Sequence, residues 1–165
     1  MSGATIAYVG LGGNIGDAAA TLREAFEALD ALPHTRLLRA SRLHRTPAWG
    51  RGGQPDFTNA VVKLETHLDA RALLDALLDL EREFGRDRGL DAERWGPRIL
   101  DLDLLLFGDA RIDETGLRVP HPHLHERAFV LVPLFELAPD LRIPGRGTVR
   151  EAFDDVAKDG IEALP

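Results

Sequence analysis

Two aspartates within a leucine-rich segment have the residue type and spacing that most clearly predict chemistry. The segment Ile99–Phe107 alternates leucine with Asp101 and Asp103. As a β-strand it would carry both carboxylates on one face, about 6.5–7 Å apart at Cα. The opposite, core-facing positions are Leu100, Leu102, Leu104 and Leu106. Like charges so close need cations to offset them. Two divalent ions about 3.5–4 Å apart would do so, and oxygen-only ligands favour Mg²⁺. The alternative is a solvated strand face.

An arginine-rich stretch directly precedes this segment and could bind phosphate. Its basic residues are Arg86, Arg88, Arg94 and Arg98. Asp87, Asp91 and Glu93 leave residues 86–98 with a net charge of only +1, so the stretch is not polybasic. The planar guanidinium can still clamp phosphate oxygens in bidentate fashion. Trp95, between Gly96 and the arginines, could stack on a planar base. A structural loop with incidental charge is the alternative.

Three alternating histidines, His121, His123 and His125, have a spacing that a zinc site on a strand would need. Pro120 and Pro122 make a regular strand there unfavourable, so zinc is the least favoured interpretation; a single histidine that contacts phosphate and a run without a functional role both remain open. His44 and His67 have no partner in the sequence and are predicted to be structural or exposed.

A glycine cluster between Gly10 and Gly16 is compatible with a tight turn or with a close backbone approach to a ligand. Ile15 stands where a dinucleotide-binding fingerprint needs glycine, and the sequence contains no G-K-[ST] motif. The sequence therefore contains neither the dinucleotide-binding fingerprint nor a P-loop.

The periodicity around these residues predicts an α+β protein. The predicted elements are a strand Thr5–Gly10 and turn Leu11–Gly16, a helix capped by Asp17, strands Arg36–Arg45 and Phe57–Glu65, a helix from Asp69 to Gly85, the strand Ile99–Phe107, a brief helix near Arg127–Glu136 and a helix after Thr148. On the strand Phe57–Glu65, Ala60, Val62 and Leu64 would share one face. This order is typical of a ferredoxin-like split βαβ sandwich with an antiparallel sheet and added C-terminal elements. Loops Pro47–Pro55 and Arg86–Pro97 are long enough to be functional.

The composition narrows the class of protein. A chain of 165 residues, 44% hydrophobic and 28% charged, predicts a single domain over residues 1–165. It contains no cysteine, which excludes disulfides and thiolate metal sites. A net charge of −7 argues against nucleic acid as a partner. No apolar run reaches the ~20 residues of a membrane span, and the N-terminus lacks a secretory pattern. We expect a cytoplasmic monomer.

Several short motifs together resemble one enzyme family. They are Gly12-Gly13-Asn14, Arg45-Thr46-Pro47, Gln54 to Ala60, Glu81 with Gly85-Arg86, Arg94-Trp95-Gly96-Pro97-Arg98-x-Leu100-Asp101-Leu102-Asp103, and Val119-Pro120-His121. From about Ile6 to Asp140 the chain is similar to the 6-hydroxymethyl-7,8-dihydropterin pyrophosphokinases of folate biosynthesis. The resemblance implies transfer of the diphosphoryl group of ATP to the hydroxymethyl oxygen of the pterin, with release of AMP.

The resemblance also implies roles for particular residues. Asp101 and Asp103 would hold two Mg²⁺ ions, and Arg86 and Arg98 would stabilise charge in the transition state. Further ATP contacts would come from Arg88, Arg94, Glu81, Trp95 and His121. The pterin would lie between Phe57 and Phe129, against Asn59, Thr46, Pro47 and Trp95. Two alternatives remain open from the residues: another Mg²⁺-dependent phosphoryl or nucleotidyl transferase, and a binding module for RNA, which the low aromatic content and negative charge disfavour.

Overall fold

Strands and helices alternate along the first two thirds of the chain, and short elements follow. The structure is a computed structural model that describes residues 3–47, 56–85 and 99–164. Its elements are β1 (Thr5–Gly13), α1 (Ala18–Asp30), β2 (Thr35–Ala40), β3 (His44–Thr46), β4 (Phe57–Thr66), α2 (Ala70–Gly85), β5 (Asp101–Phe107), β6 (Ile112–Glu114), β7 (Leu117–Val119), a 3₁₀ turn (Leu124–Glu126), α3 (Ala128–Leu137), α4 (Val149–Asp155) and β8 (Glu162–Ala163). None of the helices in these ranges has the length and apolar character needed to cross a membrane.

The main sheet has six strands in the order β5-β1-β4-β3-β8, with β2 also paired to β4. Every pairing in it is antiparallel. Helices cover both faces, so the α+β class and the antiparallel sheet predicted from the sequence are confirmed. Strands β6 and β7 form a separate hairpin.

The two long helices cover one face of the sheet, which we call the closed face. Asp17 caps α1, because its Oδ1 accepts a hydrogen bond from the backbone N–H of Ala20 at 3.1 Å. Asp69 does the same for α2 through the N–H of Ala72 at 2.8 Å. Both caps are as predicted. The closed-face core consists of apolar residues from both helices and from the strands, among them Val9, Leu22, Leu29, Ala60, Val62, Leu64, Leu73 and Leu77.

Helices α3 and α4 pack on the other face, which we call the site face. Its core includes Tyr8, Val61, Leu131 and Leu134. Burial raises the pKa of the Tyr8 phenol, and the charge of Arg39 partly opposes that shift. Thr148 begins α4 with a reciprocal pair of hydrogen bonds to Glu151, and its N–H and hydroxyl keep the pKa of that carboxyl below its usual range. Helices near Arg127–Glu136 and after Thr148 are thus confirmed.

Three details of the strands differ from the sequence prediction. The strand expected over Arg36–Arg45 is two strands, because Ser41 interrupts it: the Ser41 hydroxyl accepts from the Val61 N–H at 3.0 Å, a place that a backbone carbonyl would take in a regular ladder. The predicted turn Leu11–Gly16 also begins too early, because β1 stays paired with β4 as far as Gly13 and Thr58.

The third difference is in β5. Val9 pairs with Leu104 and Tyr8 with Leu106, so a bulge leaves Leu105 unpaired. Beyond an extra residue the alternation of faces is inverted. Leu102 and Leu104 therefore lie in the closed-face core as predicted, whereas Leu106 lies in the site-face core, contrary to the prediction.

Candidate active site

The register of the sheet places the two aspartates and the predicted pterin-binding Asn59 on the site face. Asp101 is opposite Gly12 on β1, Gly12 is opposite Asn59 on β4, and Asn59 is opposite His44 on β3. Asp103 is opposite Gly10 in the next row on that face. Both carboxylates are half-buried. Because the partners of both aspartates on the neighbouring strand β1 are glycines, the surface beside the aspartates is backbone without side chains.

A cavity of about 360 Å³ opens beside this row. Its lining residues are Gly10, Leu11, Gly12, Thr46, Pro47, Phe57, Asn59, Ala60, Asp101, Arg127, Phe129 and Val130. Five of the six residues predicted to bind a pterin are in this set, and the sixth, Trp95, lies outside the described residues. The structure thus brings together Thr46, Pro47, Phe57, Asn59 and Phe129, which the sequence spreads over more than half of its length.

Asn59 has a buried oxygen that lacks a partner. The residue is 5% exposed, and within residues 3–47, 56–85 and 99–164 its Oδ1 makes no hydrogen bond. A Cβ at Gly12 would be in ordinary van der Waals contact with that oxygen, at 3.5 Å, so a side chain larger than alanine there would press on the amide. A buried acceptor without a donor costs about 1–3 kcal/mol, which a ligand N–H could recover.

Arg127 lines the same cavity and was not singled out from the sequence. It precedes α3 in an extended conformation, and its Cζ lies 5.7 Å from the centroid of the Phe129 ring. No spacing rule points to it. The only sequence signal for it is its position two residues before Phe129, which is predicted to stack on a ring, and directly before a predicted helix.

His121 lies close to the carboxylates. Its backbone N–H donates to the carbonyl of Leu105 on β5 at 2.9 Å, and its Nδ1 accepts from the N–H of His123 at 3.1 Å. Burial lowers its pKa; Asp103 opposes that shift, and the charge of Arg127 adds to it. Burial thus favours the neutral ring, and in that form the proton is assigned to Nε2, because Nδ1 accepts from the His123 N–H.

The other two histidines of the run, His123 and His125, lie beside the carboxylate of Glu126. His123 Nδ1 is 2.8 Å from Glu126 Oε1, and that bond is the main reason why the pKa of the glutamate is lowered. His125 lies 3.8 Å from the same carboxylate. His121 and His125 line a second cavity of about 560 Å³ together with Arg111, Arg118 and Arg146.

Glu81 on α2, predicted to contact the nucleotide, bonds to the strand that carries the aspartates. Its Oε2 accepts from the N–H of Leu102 at 2.6 Å, between the two aspartates. The remaining predicted residues, Arg86, Arg88, Arg94, Trp95 and Arg98, lie outside the described residues. Arg86 follows the last residue of α2 and Arg98 stands three positions before Asp101.

Asp101 and Asp103 fit Mg²⁺ by their chemistry. They are hard oxygen donors on one face; Asp101 lines the cavity, and Asp103 lies two residues further along the same strand. In the part of the chain that the structure describes, no cluster of three or more acidic or histidine side chains could enclose a metal ion. Two carboxylates therefore suit an ion that takes its other ligands from water and substrate phosphates, as Mg²⁺ does.

A carboxylate pair beside an apolar cavity on an α+β scaffold is an arrangement that enzymes which transfer phosphoryl groups with divalent cations require. The comparisons with known proteins are more specific. Residues 8–139 match the family model "7,8-dihydro-6-hydroxymethylpterin-pyrophosphokinase (HPPK)". The chain belongs to this family, and it is a pyrophosphokinase.

Curated relatives agree over almost the full length. The chain is 48% identical over 160 residues to the 2-amino-4-hydroxy-6-hydroxymethyldihydropteridine pyrophosphokinase of Methylorubrum extorquens, covering 97% of this chain and 99% of the relative. It is 46% identical over 158 residues to the enzyme of the same name from Pseudomonas aeruginosa, covering 96% of each.

Solved structures share the fold. A crystal structure of HPPK-DHPS in complex with substrates matches with a TM-score of 0.72 at 14% identity, over 92% of this chain and 43% of that one. A Plasmodium falciparum HPPK-DHPS triple mutant matches with a TM-score of 0.71, over 93% and 44%. The chain thus spans less than half the length of these matched chains, and at this identity they support the fold alone.

Proposed function

We propose that the site face carries out the pyrophosphokinase reaction, with the pterin in the 360 Å³ cavity and the triphosphate of ATP along Asp101 and Asp103. The hydroxymethyl oxygen of 6-hydroxymethyl-7,8-dihydropterin attacks the β-phosphorus of ATP. A new O–Pβ bond forms, the bond from Pβ to the oxygen bridging to the α-phosphorus breaks, AMP leaves with that oxygen, and the hydroxyl proton passes to water. The observation that carries the proposal is a ring-sized cavity beside two carboxylates, lined by Asn59, whose amide oxygen has no partner in the described ranges.

The cavity has the groups that a pterin needs. Asn59 offers an acceptor oxygen to the ring N–H and amino groups, and recognition of this kind selects strongly, because an analogue without the donor leaves the oxygen unpaired. Phe57 and Phe129 line the cavity and would contact the two faces of the ring. Thr46 and Pro47 would supply the opposite edge.

Asp101 and Asp103 would hold Mg²⁺, and we propose two ions. Bound there, the ions would neutralise charge on the triphosphate. The proposal is supported by two half-buried carboxylates on one face, with glycine backbone beside them. Glu81 would fix the strand between them by accepting the Leu102 N–H, which keeps the carboxylates aligned.

His121 would contact the nucleotide as a neutral donor. Its Nδ1 is occupied by the His123 N–H, which leaves Nε2–H for a phosphate oxygen. Arg86, Arg88, Arg94, Arg98 and Trp95 would complete the nucleotide contacts, with Arg86 and Arg98 stabilising charge in the transition state.

We also propose that the sheet is of the ferredoxin-like type within a single domain. The order β5-β1-β4-β3, with α1 and α2 on one face, supports a split βαβ arrangement extended by the C-terminal elements. The two cores lie on the two faces of one sheet, which supports a single unit.

The test is a product assay with ATP, Mg²⁺ and 6-hydroxymethyl-7,8-dihydropterin. We expect AMP and the pterin diphosphate in equal amounts, and no AMP without the pterin. ADP or pyrophosphate as the product would contradict the proposal and indicate another transferase. Asn59→Leu tests the placement of the pterin: its KM should rise about 10²-fold or more, because the amide contact is lost. The KM for ATP, measured in parallel, is the internal control.

A further inference from the structure

A buried histidine and a glutamate connect two walls of the cavity. His44 on β3 has a side chain only 3% exposed, and its Nε2 lies 2.7 Å from Oε2 of Glu136 on α3. A ring with its proton on Nε2 can donate to the carboxylate whether it is neutral or charged. Thr46 lies two residues beyond His44, and Phe129 lies seven residues before Glu136. The bond therefore ties the strand that carries Thr46 to the helix that carries Phe129.

The same histidine is next to Asn59, which lines the cavity and whose buried Oδ1 has no hydrogen-bond partner among the described residues. His44 and Asn59 are direct cross-strand partners, so their side chains stand on one face with Cβ atoms about 4.5–5.5 Å apart. On the other side, Gly12 is the partner of Asn59, and a Cβ there would lie 3.5 Å from Asn59 Oδ1. The Asn59 amide is thus bounded by His44 on one side and by bare backbone on the other.

Further donors fix Glu136. Its Oε1 accepts from the backbone N–H of Arg42 at 2.9 Å, and its Oε2 accepts from Arg42 Nε at 3.1 Å. The Arg42 side chain is 66% exposed, so this part of the cluster contributes little in free energy. The backbone bond and the His44 bond are the contacts that hold the carboxylate against β3.

We propose that His44 and Glu136 form a positioning pair that fixes the Asn59 side chain beside the cavity and thereby sets pterin affinity. The inference rests on the proposed function only in that the cavity takes the pterin. The pair touches neither aspartate, so it acts on pterin binding rather than on phosphoryl transfer.

The first experiment compares three variants. His44→Phe keeps a ring and removes the bond to Glu136; we expect the KM and Kd for the pterin to rise about ten-fold, with kcat and the KM for ATP within about two-fold of wild type. His44→Gln can still donate from its amide to Glu136 and should restore most of the affinity. Arg42→Met is the matched control: it removes the exposed guanidinium from the same carboxylate and should leave all constants unchanged.

A double-mutant cycle then separates positioning from general structural support. If His44 acts through Asn59, combining His44→Phe with Asn59→Ala should raise the pterin Kd no more than Asn59→Ala alone. Additive effects, or an unchanged pterin Kd in His44→Phe, would overturn the inference. If His44→Phe folds poorly, Glu136→Gln takes its place, because glutamine still accepts from the Arg42 N–H; its pterin Kd should rise about three-fold, and an unchanged value would count against the pair. Wild-type enzyme without pterin-dependent AMP would instead contradict the proposed function.

Discussion

The two faces of the sheet are built differently, although the same strands supply both. On the closed face, β1 contributes Ala7, Val9 and Leu11, each under 5% exposed, and α1 and α2 seal it with leucines. On the site face, the alternate positions of the same strand are Tyr8, Gly10 and Gly12. Apolar side chains fill the closed face. The site face, in contrast, has a cavity and buries polar side chains such as Asn59 and His44.

The comparison teaches where stability and function reside in this fold. A filled apolar face supplies free energy of folding through burial. On the site face, two strand positions are glycines, and the buried Asn59 oxygen has no partner among the residues that the structure describes, so this part of the face gives some of that free energy up. We therefore expect changes at Gly12 and at the two aspartates of the site face to alter activity at little cost in stability, and changes in the closed-face core to do the reverse.

The largest effect is expected from the aspartates. Asp101→Asn and Asp103→Asn should each lower kcat about 10³-fold or more, because an amide binds Mg²⁺ poorly and carries no charge. Without Mg²⁺ the melting temperature should stay within a few degrees of wild type, whereas the rise that Mg²⁺ gives the wild type should be lost. AMP formation is measured at saturating Mg²⁺, and thermal unfolding with and without Mg²⁺.

Asp109→Asn is the control for that experiment, because Asp109 is exposed in the turn after β5. It should behave as wild type. Near-normal turnover in either aspartate variant would contradict the proposed Mg²⁺ site. It would also contradict the expectation that activity depends on the site face.

On the closed face, Leu73→Ala should lower the free energy of unfolding by about 2–5 kcal/mol, because a fully buried leucine leaves a cavity. Turnover per folded molecule should be unchanged. Denaturant unfolding measures the first quantity and the AMP assay the second. Leu78→Ala on the same helix is the matched control: this leucine is 37% exposed and should cost about 0.5 kcal/mol or less. A kcat defect in Leu73→Ala would break the proposed division between the faces.

Gly12→Val is expected to raise the pterin KM about ten-fold by filling the space beside Asn59. The free energy of unfolding should be maintained or rise by about 0.5–1 kcal/mol, because a strand interior disfavours glycine. The KM and the denaturation midpoint are the two measurements. Gly3→Val, at an exposed position with nothing within 4 Å, is the control. A variant with lower stability and wild-type KM would show that Gly12 serves packing.

The smallest effect concerns pH. Because burial lowers the pKa of His121, the unfolded chain takes up a proton before the folded one as pH falls below the ordinary value of 6.5. Stability contributed by the neutral ring is present above that value and decreases as pH falls towards the folded-state pKa. His121→Gln should therefore flatten the decline in melting temperature as the pH falls below about 6.5. The exposed His67→Gln should not; equal profiles for wild type and His121→Gln would contradict the shift.

Much of the site could be predicted because its chemistry is carried by residue type and local period. The aspartates of β5 lie on one face simply because a strand alternates, and Ala60, Val62 and Leu64 share the closed face for the same reason. Asp17 and Asp69 cap their helices through bonds to residues three positions on, which also lie within reach of local reasoning. The position of Arg127 in the cavity wall was not predicted, because neither hydrophobic periodicity nor motif spacing distinguishes this arginine.

What the sequence determined by itself was the class of fold, the helix starts, the face of the carboxylate pair and, through its motifs, the family. Only the tertiary structure decided the bulge that inverts β5 at Leu105, the break at Ser41 and the bond between His44 and Glu136, which are 92 residues apart. Alternation and capping follow from the geometry of a few consecutive residues. A bulge, a break and a cavity wall depend on which distant segment is the partner, and that is settled only when the sheet is assembled and both of its faces are packed.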